Sequence, residues 1–547
     1  MAVVGLRPVR RSLLVLAAIV VAAVGIAWLI RWTTDDAYIS FSYARSLVRG
    51  DGLTWFGEHI EGYTNFGWVL WVAGGIAAGV DPVVWAWGGS LAALAVALAA
   101  TYRVVRVRSG SVPAAACATG LLATNFTFLA FATSGLETMA QTALLVIAWL
   151  DVERLQRVPA APRRLVRLSL ACALAIWIRL DSAVIVVVLA VVVGVRLARE
   201  RAGARAWLAA IAPATALLGG WLAWKLAYYG DILPNTFHAK VGLSATSVRN
   251  GASYAGAFLH AYLLWPVVLV ISAVAAVRRR RAPGVPVALV ATWFAYVVVV
   301  GGDFMEFRFF VPAMPALFAI IAEAVTSTPG STPGTAKLPP AWLRAAAIVS
   351  LLGAVSWRHA AQFDGVSDDL SYDSVHVMAT FYGVLPDGDW ERPGLALRAA
   401  LATTGATLAC NGAGAIPYFA ELPTVDQLGL NDRWVAREGV RAPDNYPRPG
   451  HQRFATYDYL VSRKVNFVIG SPDVIPPGAL TGMLDSRLPR VWLRRMLGFA
   501  ARPVHRLVAV AVPLDDARAL LLWYLTPTPA ITQAIHAAGW EIRELVW

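Results

Sequence analysis

Residues 10–38 read RRSLLVLAAIVVAAVGIAWLIRWTTDDAY. Two arginines stand before an unbroken apolar run, Ser12–Ile30, and a polar turn with adjacent carboxylates, Asp35 and Asp36, follows it. The run is too long for the apolar segment of a secretory leader, and no small-residue cleavage site comes after it. It reads as a retained transmembrane helix whose basic N-terminal flank stays in the cytoplasm. Residues 31–65 are then delivered to the opposite face, with both aspartates at the depth of the membrane surface.

The rest of the chain agrees with a membrane reading. Of 547 residues, 58% are hydrophobic and 15% charged, and mean hydropathy is +0.58. That composition excludes a disordered chain and describes a polytopic membrane protein. The three cysteines, Cys117, Cys172 and Cys410, are too scattered for a disulfide framework. The formal net charge of +13 comes from 47 basic residues, of which only Lys225, Lys240, Lys337 and Lys464 are lysines. The arginines gather in short clusters between apolar runs, as the positive-inside bias requires, so nucleic acid is not the partner.

Phe66–Val80 is too short for a span of about 20 residues. Laid along the outer surface, it puts Arg103, Arg106 and Arg108 inside. Further spans then fall near 82–102, 112–132, 136–153, 166–180, 182–199, 206–228, 257–277, 285–302, 309–325 and 341–357, eleven with the first. Inside loops carry Arg154–Arg167, Arg196–Arg205 and Arg278–Arg281, and the STPGSTPG stretch at 327–334 is a flexible linker. No internal repeat is visible, which weakens a transporter reading. The last 190 or so residues lose the long apolar runs, and strand-like stretches such as Phe467–Ile469 and Leu507–Val512 alternate with helical ones. The expected fold is a mainly α membrane bundle, residues 1–358, with juxtamembrane helices, plus a small C-terminal α/β domain, residues 359–547, outside the membrane.

This topology sorts the chemistry-bearing residues onto one face. They are Asp35 and Asp36; Glu58, Glu61, Thr64 and Asn65; Glu137 in ATSGLE; Arg179 and Asp181; His238 and Lys240 after the Tyr228-Tyr229-Gly230 turn; and Asp303 and Arg308 in GGDFMEFR. Each has a plainer reading. One aspartate could cap the helix that follows, Arg179–Asp181 and Asp303–Arg308 could be structural ion pairs, and Tyr63 and the tryptophans could be interface anchors. A carboxylate a turn inside a span is costly, which favours function at Glu137. Adjacent carboxylates raise one another's pKa, which suits a proton acceptor. No metal-ligand spacing, P-loop or dinucleotide loop appears, so no cofactor is expected and a divalent metal is not indicated.

A carboxylate just after the first span, surface helices, many spans and a C-terminal outer domain together resemble the GT-C glycosyltransferases. Asp35-Asp36, then Gly57-Glu58, Glu61 and Thr64-Asn65, then ATSGLE at 132–137, Arg179, Tyr228-Tyr229-Gly230, Ala239-Lys240, GGDFM with Arg308, and Asp426-Gln427-Leu428-Gly429-Leu430 follow the order of mycobacterial-type terminal β-arabinofuranosyltransferases (AftB-like). The chain departs from that pattern at Tyr63, where a small residue is expected, and in a shorter outer domain.

The resemblance implies a membrane enzyme working on the extracytoplasmic face. It would move arabinofuranose from decaprenyl-phosphoryl arabinofuranose, a polyprenyl-phosphate donor, onto a cell-envelope arabinan such as that of arabinogalactan. Asp35 or Asp36 would be the base. Arg179, Lys240 and Arg308 would hold the donor phosphate, and Glu58, Thr64, Asn65, Glu137, His238 and Asp303 the sugar or acceptor. Alternatives are a mannose or aminoarabinose donor, a lipid-linked sugar flippase or other transporter, and an envelope assembly protein without activity.

Overall fold

A computed structural model describes residues 6–240, 244–266, 284–327, 339–363, 372–382, 390–442, 449–470, 473–480 and 506–546. The first apolar run forms α1, Leu6–Leu29, which rises about 36 Å at 1.5 Å per residue and so can cross a bilayer. Its outward residues, such as Leu14, Val21 and Leu29, face away from the protein, where lipid would lie. Helix α2 runs Asp35–Arg49, with Thr34 as N-cap and Gly50, in the left-handed region, ending it. Both aspartates therefore occupy its first turn.

Helix α3, Phe66–Ala77, is only about 18 Å long at 1.5 Å per residue and cannot cross. Its start is tied to the far end of the bundle, where Asn65 Nδ2 donates to Glu137 Oε2 at 2.7 Å. The helix after it, α4 (Pro82–Ser109), begins at that same end, since Trp87 Nε1 donates to the carbonyl of Trp32 at 3.0 Å. Asp81 caps α4 by accepting from the amides of Val83 and Val84, and Pro82 suits its first turn. Residues 66–80 therefore start and end on the same side of the bundle.

The next span is broken in two, α5 (Val112–Thr124) and α6 (Phe126–Ala130). Asn125 sits extended between them and its side chain caps α6 through the amide of Phe128. Then come α7 (Thr138–Leu155), α8 (Pro162–Ile178), α9 (Ala183–Arg199) and α10 (Ala204–Tyr229). Pro213 lies inside α10, and the Ala214 amide turns to the hydroxyl of Ser169 on α8. Short α11 (Asn235–Lys240) precedes α12 (Ala245–Ala261), which starts earlier than expected because Ser244 caps it. The remainder of the span expected at 257–277, the Arg278–Arg281 cluster and most of the 327–334 linker lie outside the described residues. Helices Val285–Val300, Met314–Thr326 and Ala341–Gln362 complete the bundle.

Five of the described segments are long and apolar enough to cross a membrane: Ser12–Leu29, Pro82–Ser109, Leu180–Arg199, Ala204–Tyr229 and Arg308–Thr326. The arginine clusters meet at one end. Arg108 of α4 donates to Glu153 of α7 at 2.6 Å and to Glu323 at 2.9 Å, and Arg167 of α8 donates to Asp151 of α7 at 2.7 Å. The carboxylates of residues 35, 137 and 303 sit at the other end.

On that end rests a mixed seven-stranded sheet ordered β2-β1-β5-β8-β7-β9, with β6 (Val474–Ile475) on β8, while β3 (Val440–Arg441) and β4 (Arg453–Phe454) pair separately. Strands β1 (Leu408–Cys410), β2 (Thr424–Asp426) and β5 (Phe467–Ile469) pair in parallel. β8 (Ala519–Tyr524) runs antiparallel to β5, and β7 (Arg506–Pro513) lies between β8 and β9 (Glu541–Val546). The chain is thus a helical membrane bundle with a small α/β domain, as its composition shift suggested.

Candidate functional site

Asp35 and Asp36 share a helical turn, yet their environments differ. Asp35 is 6% exposed and accepts hydrogen bonds from the amides of Gly414 at 3.1 Å and Ala415 at 2.6 Å, both in the outer domain. Burial pushes its carboxyl up to about 7, although those amides pull the other way. Asp36 is half-buried and, among the described residues, has no hydrogen-bond or ion-pair partner. One aspartate is committed to a domain contact, and the other is half-buried with no partner among the described residues.

Next to this turn lies a buried charge network. Arg179 Nη1 donates to Glu137 Oε1 at 2.5 Å and Arg179 Nε to Asp181 Oδ2 at 2.8 Å. Gln141 Nε2 holds the other Asp181 oxygen at 2.6 Å. Burial is the largest influence and raises the pKa of Glu137, but the Arg179 cation, hydrogen bonds to its carboxylate including that from Asn65, and Arg308 together hold the carboxylate below its ordinary range. Arg308 makes a two-pronged contact with Asp303, at 2.6 and 3.0 Å. Both guanidinium groups stand 5.3 Å from the ring centre of Phe309, within cation–π range.

The loop that delivers Arg308 is shaped by its glycines. Gly302 has φ +80°, and a Cβ there would lie 2.9 Å from Tyr254. Phe307 is also left-handed at φ 49°, a costly conformation for a bulky residue. It is held there by rings of Tyr254, Phe258, Tyr262 and His359.

Lys240, at the end of α11, is half-buried and among the described residues has no ion-pair partner. Burial holds its ammonium below the usual lysine range, while Asp36 and Asp303 favour its charge and Arg308 and Arg179 oppose it. These are the charges it senses through space. Asp36, Lys240, Arg179, Arg308, Asp303, Glu137 and Asn65 therefore form one constellation. Thr64 borders it, its carbonyl accepting from the amide of Leu180 at 3.3 Å.

Two of the residues picked out in the sequence stand apart. Glu58 is an exposed rim group paired with Arg463. His238 lies 3.0 Å from Asp231, which also meets Arg437 at 2.6 Å. Among the described residues no three His, Cys, Asp or Glu side chains converge as a metal-ligand set.

An apolar cavity of about 470 Å³ opens beside the network, between α3, α4 and α8. Its lining includes Ile178, which directly precedes Arg179, and Ala140, a turn after Glu137. Trp71 and Trp85 stack at 5.0 Å along it. Gly89 makes room for them, because a Cβ there would lie 2.5 Å from Trp71 Nε1.

Two solved structures share this architecture over nearly the whole chain. Apo ArnT from Cupriavidus metallidurans aligns with a TM-score of 0.54 at 12% identity, over 93% of this chain and 97% of that one. The same protein bound to undecaprenyl phosphate aligns with a TM-score of 0.51 at 12% identity, over 95% and 98%. The chain shares the fold of this ArnT. A family model described as a domain of unknown function (DUF8728) matches residues 389–509, in the C-terminal part of the chain. No curated protein matches the sequence.

Sequence reasoning missed three features of the helical bundle and the C-terminal domain. Lys225 of α10 is fully buried and 2.7 Å from Glu61; its position as a lysine inside an apolar run was the available signal. Gly412 and Gly414, which seat Asp35, lie in an NGAG stretch after β1, and two glycines so close together signal a backbone that must approach another group tightly. The Asp426-Gln427-Leu428-Gly429-Leu430 stretch is structural. Asp426 accepts from the amides of Leu428 and Asn431, and Asn431 accepts from the hydroxyl of Tyr43 on α2.

Proposed function

We propose that the chain is an integral-membrane glycosyltransferase that moves a sugar from a polyprenyl-phosphate donor to an acceptor hydroxyl. The observation that carries the reading is a carboxylate, Asp36, and a cation, Lys240, that sense each other through space, each without an ion-pair partner among the described residues, beside the carboxylate-held Arg179 and Arg308. The motif order supports decaprenyl-phosphoryl arabinofuranose as donor and a cell-envelope arabinan as acceptor. Arginine clusters gathered at the opposite end of the bundle support chemistry on the extracytoplasmic face.

Asp36 takes the proton of the acceptor hydroxyl as that oxygen bonds to the anomeric carbon. The bond from that carbon to the phosphate oxygen breaks, and the polyprenyl phosphate leaves with the electron pair. Lys240 offers three N–H donors to the developing charge. Arg179 and Arg308 each spend only part of a five-donor fork on carboxylates and can turn a remaining N–H to phosphate. Asn65, Glu137 and Asp303 present further polar atoms to sugar hydroxyls. The apolar cavity beside Ile178 suits the lipid tail. No nucleotide is needed, because the phosphate is the leaving group.

The test is transfer by purified protein in nanodiscs from radiolabelled polyprenyl-phosphate arabinofuranose, mannose and aminoarabinose to an arabinan oligosaccharide. Arabinofuranose should be transferred, and Asp36→Asn should lower the rate on the order of a hundredfold or more while donor still binds. Transfer from none of the three donors, or wild-type rates in Asp36→Asn, would refute the reading.

A further inference from the structure

The turn that carries Asp36 is gripped from two sides. From the bundle, Thr34 N donates to Ser134 O at 3.0 Å. Gly135 closes against the same turn so tightly that a Cβ would lie 2.8 Å from Ala37 Cβ. The outer domain grips the other side. Residues 411–414 leave β1, and the two amides that open the next short helix both point at the Asp35 carboxylate. A Cβ on Gly414 would lie 2.0 Å from the Asp35 carbonyl oxygen and 2.5 Å from its Cγ. At Gly412 it would lie 2.4 Å from the Trp390 ring and 3.4 Å from Asp35 Oδ2. The loop is moulded on this one carboxylate. The two carboxyl oxygens of Asp35 accept one amide each, whereas an amide side chain would turn an N–H toward one of them.

We infer that Asp35 is a positioning residue: the outer domain closes its 411–415 loop around the Asp35 carboxylate, and that closure aims the neighbouring Asp36 at the acceptor. The outer domain thus completes the active site without supplying a reacting group. The kinetic part of this inference rests on the glycosyltransferase reading.

Two variants test it. Asp35→Asn removes the anion. Gly414→Ala leaves both aspartates in place and pushes the loop away. Full-length protein in nanodiscs is read by kcat and donor KM, and by amide hydrogen exchange over 411–420. Both variants should lower kcat between about tenfold and a hundredfold, the scale of a misaligned reacting group. Donor KM should change less than about twofold, because the phosphate contacts are elsewhere. Exchange over 411–420 should quicken in both. A purely structural role for Asp35 would lower thermal stability and leave kcat of the folded protein at wild type, which overturns the inference. So does loss of turnover in Asp35→Asn with wild-type turnover in Gly414→Ala, because Asp35 would then be acting on substrate itself. The exchange measurement needs no substrate. Unchanged exchange in Asp35→Asn defeats the closure even if the donor assignment holds, and inactivity of the wild type defeats only the donor assignment.

Discussion

Replacing Lys225 by methionine should make the stability of the protein depend on pH in a way its buried geometry dictates. The Lys225 ammonium and the Glu61 carboxylate stand 2.7 Å apart with side chains 0% and 3% exposed. Burial already pushes Glu61 up to about 7, with Lys225 pulling it down. Without the cation it must stand higher. A carboxyl whose folded pKa is raised holds its proton better in the native state, so its contribution is full at low pH and is lost as pH rises toward the folded pKa. In the wild type this loss runs from the ordinary glutamate range up to about 7. In Lys225→Met it continues above 7, at roughly 1.4 kcal/mol for each further pH unit. The variant should therefore resemble wild type near pH 6 and fall behind it steadily through pH 8 and 9. The ceiling is about 3–5 kcal/mol, the cost of an orphaned buried charge. Thermal midpoints in nanodiscs, recorded across that range, are the assay. The double variant Glu61→Gln/Lys225→Met removes both charges and should lose the pH dependence. A deficit that is the same at every pH, or a double variant no better than the single, would refute the buried-pair account. The loop from Glu61 also carries Asn65, so turnover should decline with stability at alkaline pH.

Lys240→Ala should reduce turnover by about a hundredfold to a thousandfold, the cost of one lost donor at a developing charge, whereas Lys240→Arg should retain part of it. Because burial lowers the Lys240 pKa, the wild-type rate should fall with rising pH before an ordinary lysine would titrate, and Lys240→Arg should move that limb upward; coincident pH profiles would count against contact with phosphate. Gly89→Leu should force Trp71 from its seat and fill the apolar cavity. Donor KM should then rise for long-chain polyprenyl phosphates and not for a short-chain analogue; equal shifts for both would remove the tail from that cavity.

Much of this architecture was legible because oil and arginine are placed by the bilayer itself. The shortness of Phe66–Val80 and the cluster at Arg103–Arg108 suggested a side for each later helix, and Arg108 meets Glu153 and Glu323 at one end of the bundle. Membership of the site was partly legible for the same reason: carboxylates and arginines at span ends must find one another or water. What the sequence could not separate was Asp35 from Asp36, since the difference is made by amides of Gly414 and Ala415, remote along the chain. It also could not tell rim from cleft at Glu58 and His238, whose partners Arg463 and Asp231 are fixed only by the packing of the outer domain and the turn before α11. Lys225 was the reverse case, a visible anomaly whose partner could not be chosen from several nearby acids.

The division of labour among the cations follows from how each is compensated. Arg179 is neutralised by Glu137 and Asp181, and Arg308 by Asp303, so neither guanidinium is a naked charge waiting for phosphate. A carboxylate-paired arginine holds its fork in one orientation, and both guanidinium groups stand within cation–π range of the Phe309 ring. Such a pair offers directed N–H groups and a fixed cleft width, which favours geometry over raw attraction. Lys240 has no such compensation among the described residues, and its burial makes holding the charge costly. An anion arriving beside it relieves that cost, so the lysine gains more from a phosphate than either arginine does. The gain grows as the leaving oxygen acquires charge, and an interaction that strengthens on the way to the transition state accelerates the reaction rather than merely tightening the ground-state complex. On the proposed function, Lys240 would act chiefly on kcat and the paired arginines chiefly on donor binding, while Asp36, which favours the ammonium through space, would be the carboxylate that takes the acceptor proton.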